Sequence, residues 1–281
     1  MRKLNKKLID DFKRHLIEEE RTQTTIEKYV RDISFFYKWC RNNEITKTIV
    51  LEYKQVLCQK YAPTSVNSIV SSINSFFEFA GWHELKIKTL KIQKQIFLNK
   101  DKELTKQEYE RLLNAARKKG NKRLMLIMQT ICSSGIRVSE LKFVTCEAVI
   151  REFAEIKSKG KIRRVFLPKS LCVILKRYIR EQKLTGGSVF VSRTGKPIDR
   201  SNIWSDMKKL CDEAAVLREK VFPHNLRHLF ARTFYTIEKD IVRLADILGH
   251  SSINTTRIYT METGEIHQRK IQKLGLVHIK C

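Results

Sequence analysis

The sequence predicts a mostly helical fold of two domains, with a small antiparallel β-sheet in the C-terminal domain. Three observations carry that expectation. Apolar residues recur at helical spacing through residues 1–84, one stretch near residue 160 alternates apolar and polar residues on either side of a turn, and periodicity lapses between His83 and about Asp101. A chain of 281 residues is long for one domain and short for three.

Four amphipathic helices account for the first part. Leu8, Ile9, Phe12, Leu16 and Ile17 mark one face, and Ile26, Tyr29, Val30, Ile33, Phe36, Tyr37 and Cys40 mark a second. A third helix runs through TKTIVLEYKQVLCQK, and a fourth through APTSVNSIVSSINSFFEFAGW, with Pro63 near its start and Gly81 near its stop. No acid, thiol or histidine cluster occurs here, so chemistry is expected elsewhere. The basic, weakly periodic stretch that follows reads as a linker, giving expected boundaries of 1–84, 85–102 and 103–281. The last part opens with LTKQEYERLLNAARKK, in which Thr105 and Glu108 stand at capping-box spacing ahead of an apolar-periodic run. RLMLIMQTICSS ends at Gly135, EFAEIKSKGKIRRVFLP reads as a hairpin around Ser-Lys-Gly-Lys, and SVFVSRTGKPI suggests a second, smaller hairpin among helices.

Fifty-six Lys and Arg against 30 Asp and Glu leave a net charge of +26, spread over both parts. So strong a positive field suits a polyphosphate partner, bound with steep salt dependence. Seven cysteines are scattered without a C-x-x-C pair, which points to buried thiols of a reducing compartment and away from zinc or disulfide frameworks. The N-terminal RKLNKKLIDDFKRHL lacks the apolar core of a signal peptide, and no apolar run reaches membrane-spanning length. A cytoplasmic protein with no membrane partner is expected.

Four stretches hold the chemistry-bearing side chains. GIRVSEL places Arg137 and Glu140 one helical turn apart, as a surface ion pair also would. SKGK puts Lys159 at the hairpin tip, with Lys161 as the alternative. PHNLRH sets His224 and Arg227 on one face of a helix that Pro223 can start. LGHSSINTTRIYT carries His250 at a helix stop and Tyr259 nine residues later. Two guanidiniums, two imidazoles and an ammonium suit a phosphodiester and the extra charge of its pentavalent transition state. The nucleophile such a group lacks is one Tyr259 can supply, provided cationic neighbours and a base act on a phenol whose free pKa is near 10. A phosphotyrosine bond would conserve the energy of the broken ester, so neither metal nor nucleotide cofactor is expected.

These four motifs, in this order and spacing, resemble the tyrosine recombinases, or phage integrase family. The intervals agree as well: three residues from His224 to Arg227, 23 to His250 and nine to Tyr259. The resemblance covers nearly the whole chain, on motifs in the C-terminal part and on helix pattern and length in the first hundred residues. It implies a helical core-binding domain and a mixed catalytic domain that clamp DNA, in the compact Xer-like form. It implies that Arg137 and Arg227 grip the scissile phosphate, His250 adds a hydrogen bond and Lys159 protonates the departing 5′ oxygen. By the same resemblance His224 exchanges a proton with Tyr259, Glu140 orients the site, and Tyr259 becomes the covalent 3′-phosphotyrosine. The implied function is site-specific recombination of double-stranded DNA, for integration, excision or resolution, by a tetramer on two sites. Ile266, Ile271, Leu274 and Leu276 in the tail would then pack on a neighbouring protomer. Rival readings are a type IB topoisomerase, a non-catalytic DNA-binding protein, and a zinc hydrolase using His224 and His228.

Overall fold

In the computed structural model the described residues are 2–40, 44–92, 100–158, 161–260, 268 and 271–274. The chain divides into two compact units, residues 1–94 and 95–281.

The first unit is built from α1 (Lys6–Glu18), α2 (Gln23–Cys40), α3 (Lys47–Lys60) and α4 (Pro63–Phe79). Asn5 and Thr46 start α1 and α3 by accepting from backbone amides of the first turn, and Pro63 opens α4. Their apolar faces meet in an aromatic core in which Phe12 packs edge-on against Phe76, and Phe36 against Phe77. Part of the stretch read as linker belongs to this core. Leu85 and Ile87 are buried, and the side-chain amides of Asn74 and Asn67 clasp the backbone of Ile87 and Leu90. Paired asparagines supply both donor and acceptor to an extended strand, a role that periodicity does not reveal.

The second unit opens with α5 (Lys106–Lys118), whose capping box between Thr105 and Glu108 is formed. Next come α6 (Lys122–Ser134), a 3-10 turn over Val138–Phe143, and α7 (Cys146–Arg151). An antiparallel hairpin follows, β1 (Phe153–Ser158) on β2 (Lys161–Phe166), with Ile156 opposite Arg163. After α8 (Lys169–Glu181), α9 (Arg200–Lys208) and α10 (Cys211–Ala214), the chain enters α11 (Pro223–Glu238), α12 (Ile241–Leu248) and α13 (Ile253–Thr256). The expected second hairpin is reduced to isolated bridges, Thr145 with Ser188 and Val191 with Pro197. Its apolar residues Val189 and Phe190 go instead into the main core, packed against helices. Of the cysteines, Cys40, Cys146, Cys172 and Cys211 are buried free thiols, whereas Cys58 is exposed. Among the described residues no helix is long and apolar enough to cross a membrane.

Candidate active site

The site is assembled where several helices end. α6 stops at Gly135, which adopts φ +65° and lies so close to Phe230 that an added Cβ would fall 2.5 Å from that ring. The chain therefore turns sharply and delivers Arg137 two residues later. α12 stops likewise at Gly249, φ +63°, and delivers His250 at once. Both helix ends leave carbonyls without helical partners, and arginines take them. Arg227, from the first turns of α11, donates to the carbonyls of Gly135 and, at 2.7 Å, Leu248. Its side chain is 1% exposed. Pro223 occupies the first turn of α11, as the sequence suggested, and the i,i+3 spacing puts His224 on the same side as Arg227.

Arg137 is oriented by Glu140, which accepts from its backbone N–H and from Nη1, both at 2.9 Å. Nη2 reaches the Gly249 carbonyl at 3.3 Å, which ties the two turns together. Glu140 is itself buried, at 7% exposed. It also receives Arg163 Nη2 at 2.6 Å, from a side chain that no motif of the sequence singles out.

His250 is held at both nitrogens. Arg227 Nη2 lies 3.1 Å from Nε2, and because a guanidinium only donates, Nε2 is the acceptor and Nδ1–H donates to Thr256 Oγ1 at 2.9 Å. Thr256 is fully buried. Part of the hydroxyl-rich run after His250 thus works as an anchor for that imidazole, and Ser252 caps α13.

Tyr259 follows in a 3-10 turn over Arg257–Tyr259 and is 5% exposed. Its ring stacks near His250 at a centroid distance of 6.2 Å and meets His228 edge to face at 5.1 Å. It also packs with Ala231, Leu244 and Leu248 of α11 and α12. Burial raises the phenol pKa, while the charge and hydrogen bonding of Arg227 and the charge of Arg137 pull the other way. His224 and His250 are both lowered to about 4, first by burial and then by cationic neighbours including Arg227 and Arg137. Both are neutral imidazoles at pH 7. Arg227 is lowered to about 10 by burial and by Arg137, and stays charged.

The structure therefore brings together six of the seven residues singled out from the sequence: Arg137, Glu140, His224, Arg227, His250 and Tyr259. Lys159 lies outside the described residues, as do Ile266 and Leu276, and the side chain of Lys161 is not described. Ile271 and Leu274 are exposed. The sequence reading missed three neighbours. Arg163 was hidden by a strand that showed two adjacent arginines, and Thr256 by the abundance of hydroxyls around it. His228 was weighed only as a zinc partner of His224. In the structure those two rings meet edge to face at 4.6 Å, and His228 Nδ1 faces Glu103 at 3.5 Å. Among the described residues no group of three or more His, Cys, Asp or Glu side chains could hold a metal.

Comparison with known proteins gives two family matches, "Phage integrase family" over residues 102–265 and "Phage integrase, N-terminal SAM-like domain" over residues 9–84. The chain is 28% identical to the tyrosine recombinase XerA of Pyrococcus horikoshii, over 98% of this chain and 95% of that one. Its fold is similar to lambda integrase in a dimer bound to a COC′ core site, with TM-score 0.75, 17% identity, and coverage of 93% and 96% of the two chains. It is also similar to lambda integrase in a tetramer bound to a Holliday junction, with TM-score 0.74, 17% identity, and coverage of 90% and 76%.

Proposed function

The chain belongs to the phage integrase family, and from that premise we propose that it is a site-specific DNA recombinase that cuts and rejoins strands through a 3′-phosphotyrosine. The observation that carries the reading is the placement of a buried phenol, Tyr259, beside two guanidiniums and two neutral imidazoles drawn from three separate motifs.

Arg137 and Arg227 bind the non-bridging oxygens of the scissile phosphate and offset the charge that grows in the pentavalent transition state. Tyr259 Oη attacks phosphorus as its proton passes to His224, which is neutral and so able to accept it. The P–O5′ bond breaks as the P–Oη bond forms, and Lys159, carried over by resemblance alone, protonates the leaving 5′ oxygen. One ester replaces another, so the 5′ hydroxyl of a second strand can reverse the step without an energy source. His250 offers Nε2 to Arg227 at rest; an arriving phosphate anion favours its protonated form, which can donate to a phosphate oxygen. Glu140 holds Arg137 in aim.

The natural substrate is double-stranded DNA carrying two recombination sites, bound by four protomers that exchange strands in pairs. The DNA-bound dimer and junction-bound tetramer among the structural neighbours support that stoichiometry. A nicked suicide site tests the reading. Wild type is expected to give a covalent protein–DNA band in a denaturing gel, and Tyr259→Phe to give none while binding DNA within about twofold of wild type. A band of equal strength from Tyr259→Phe overturns the proposal.

A further inference from the structure

We propose that Arg163, which no motif singles out, is a positioning residue for strand cleavage. It locks the Glu140–Arg137 pair to the Gly249–His250 turn, an inference that rests on the active-site reading above.

The strand register shows how unusual its place is. Ala154, Ile156, Arg163 and Val165 point to one face of the hairpin, and the three apolar members are buried to 2% exposure or less. An arginine there loses hydration for no gain in apolar contact. Burial accordingly lowers its pKa, and Glu140 opposes that effect. The fold tolerates the charge because both Nη atoms of the guanidinium are engaged: Nη2 meets Glu140 at 2.6 Å and Nη1 meets the Ile247 carbonyl at 2.8 Å.

Those two partners belong to different parts of the site. Glu140 is the carboxylate that aims Arg137, and Ile247 lies in the last turn of α12, three residues before His250. The end of the Arg163 side chain also lies flat over Gly249, where an added Cβ would come 2.5 Å from Cδ and 2.7 Å from Nε. Gly249 is thus required twice, for its positive φ and for the close approach of Arg163. With both Nη atoms committed and its side chain 19% exposed, Arg163 is poorly placed to touch a phosphate itself. It acts by fixing where Arg137 stands relative to His250. A lysine at this position could offer charge to one acceptor but not a planar fork to both.

The test compares two versions of a nicked site in single-turnover cleavage at saturating protein: an ordinary scissile phosphodiester and a methylphosphonate, which carries no charge and needs less cationic stabilisation. Arg137→Ala serves as the reference. Arg163→Lys and Arg163→Met are expected to slow cleavage of the phosphodiester by about 10- to 100-fold, the range a misplacement of about 1 Å produces. The protein concentration for half-saturation should stay within about twofold, and on the methylphosphonate the defect should shrink to under about threefold, as for Arg137→Ala. If Arg163→Met fails to fold, Arg163→Lys and Glu140→Gln, which approach the same contact from its two sides, decide the matter. A defect of equal size on both substrates, or a phosphodiester rate within about twofold of wild type, overturns the positioning role. Wild-type cleavage by Arg137→Ala would instead overturn the active-site reading, and this inference with it.

Discussion

In the first unit Lys28 meets Asp32 at 2.7 Å, and Ser72 closes the group by donating to the same carboxylate at 2.8 Å. In the second, Arg137 and Arg163 share the single carboxylate Glu140, while Arg227 beside them is held by backbone carbonyls. One cluster balances a cation with an anion and is complete in itself. The other buries guanidiniums against carbonyl dipoles, which stabilise positive charge without cancelling it. Unmatched buried charge is costly, and its persistence beside a buried tyrosine is what an anionic substrate would explain. A buried ion pair is thus weak evidence for function, whereas a buried surplus of one sign is strong evidence.

Replacing one residue in each cluster is the sharpest way to break that contrast. Arg227→Lys keeps the charge and loses the fork. It is expected to lower the single-turnover cleavage rate by about 10³-fold while DNA affinity changes by less than about threefold, as read by filter binding beside a cleavage gel. Asp32→Asn should do the opposite, lowering stability by about 1–3 kcal/mol in urea titration with cleavage of bound DNA unchanged. Equal losses of binding and cleavage in Arg227→Lys would remove the distinction.

A smaller effect separates the clusters by pH. His224 and His250 titrate near 4 in the folded chain against an ordinary 6.5, so between those values the unfolded chain takes up protons that the folded one does not. Stability is therefore full above about pH 6.5 and is lost progressively as pH falls toward 4. Denaturant midpoints measured across that window should fall for wild type and flatten in His224→Gln/His250→Gln. An unchanged slope in the double variant would place the pH dependence elsewhere.

Much of this was legible in the sequence because the governing physics is local. Helical spacing marked α1 to α4, Thr105 and Glu108 the capping box of α5, and Gly135 and Gly249 the stops that deliver Arg137 and His250. The motif residues could be gathered only through their combined chemistry and the family resemblance. What stayed hidden depends on tertiary pairing. Arg163 and Arg164 are neighbours of one type on opposite strand faces, and only the register with Ile156 turns the first one inward. Asn67 and Asn74 looked like polar positions of a helix until the chain they clasp came back past them.

The phosphotyrosine mechanism is decided by which atom becomes joined to DNA. A suicide site incubated with the intact protein, digested with protease and read by mass spectrometry should yield a nucleotide 3′-phosphate on the peptide containing Tyr259, with a free 5′ hydroxyl on the released strand. An adduct on another residue, a 5′-phosphate linkage, or hydrolysed DNA without any adduct would contradict it.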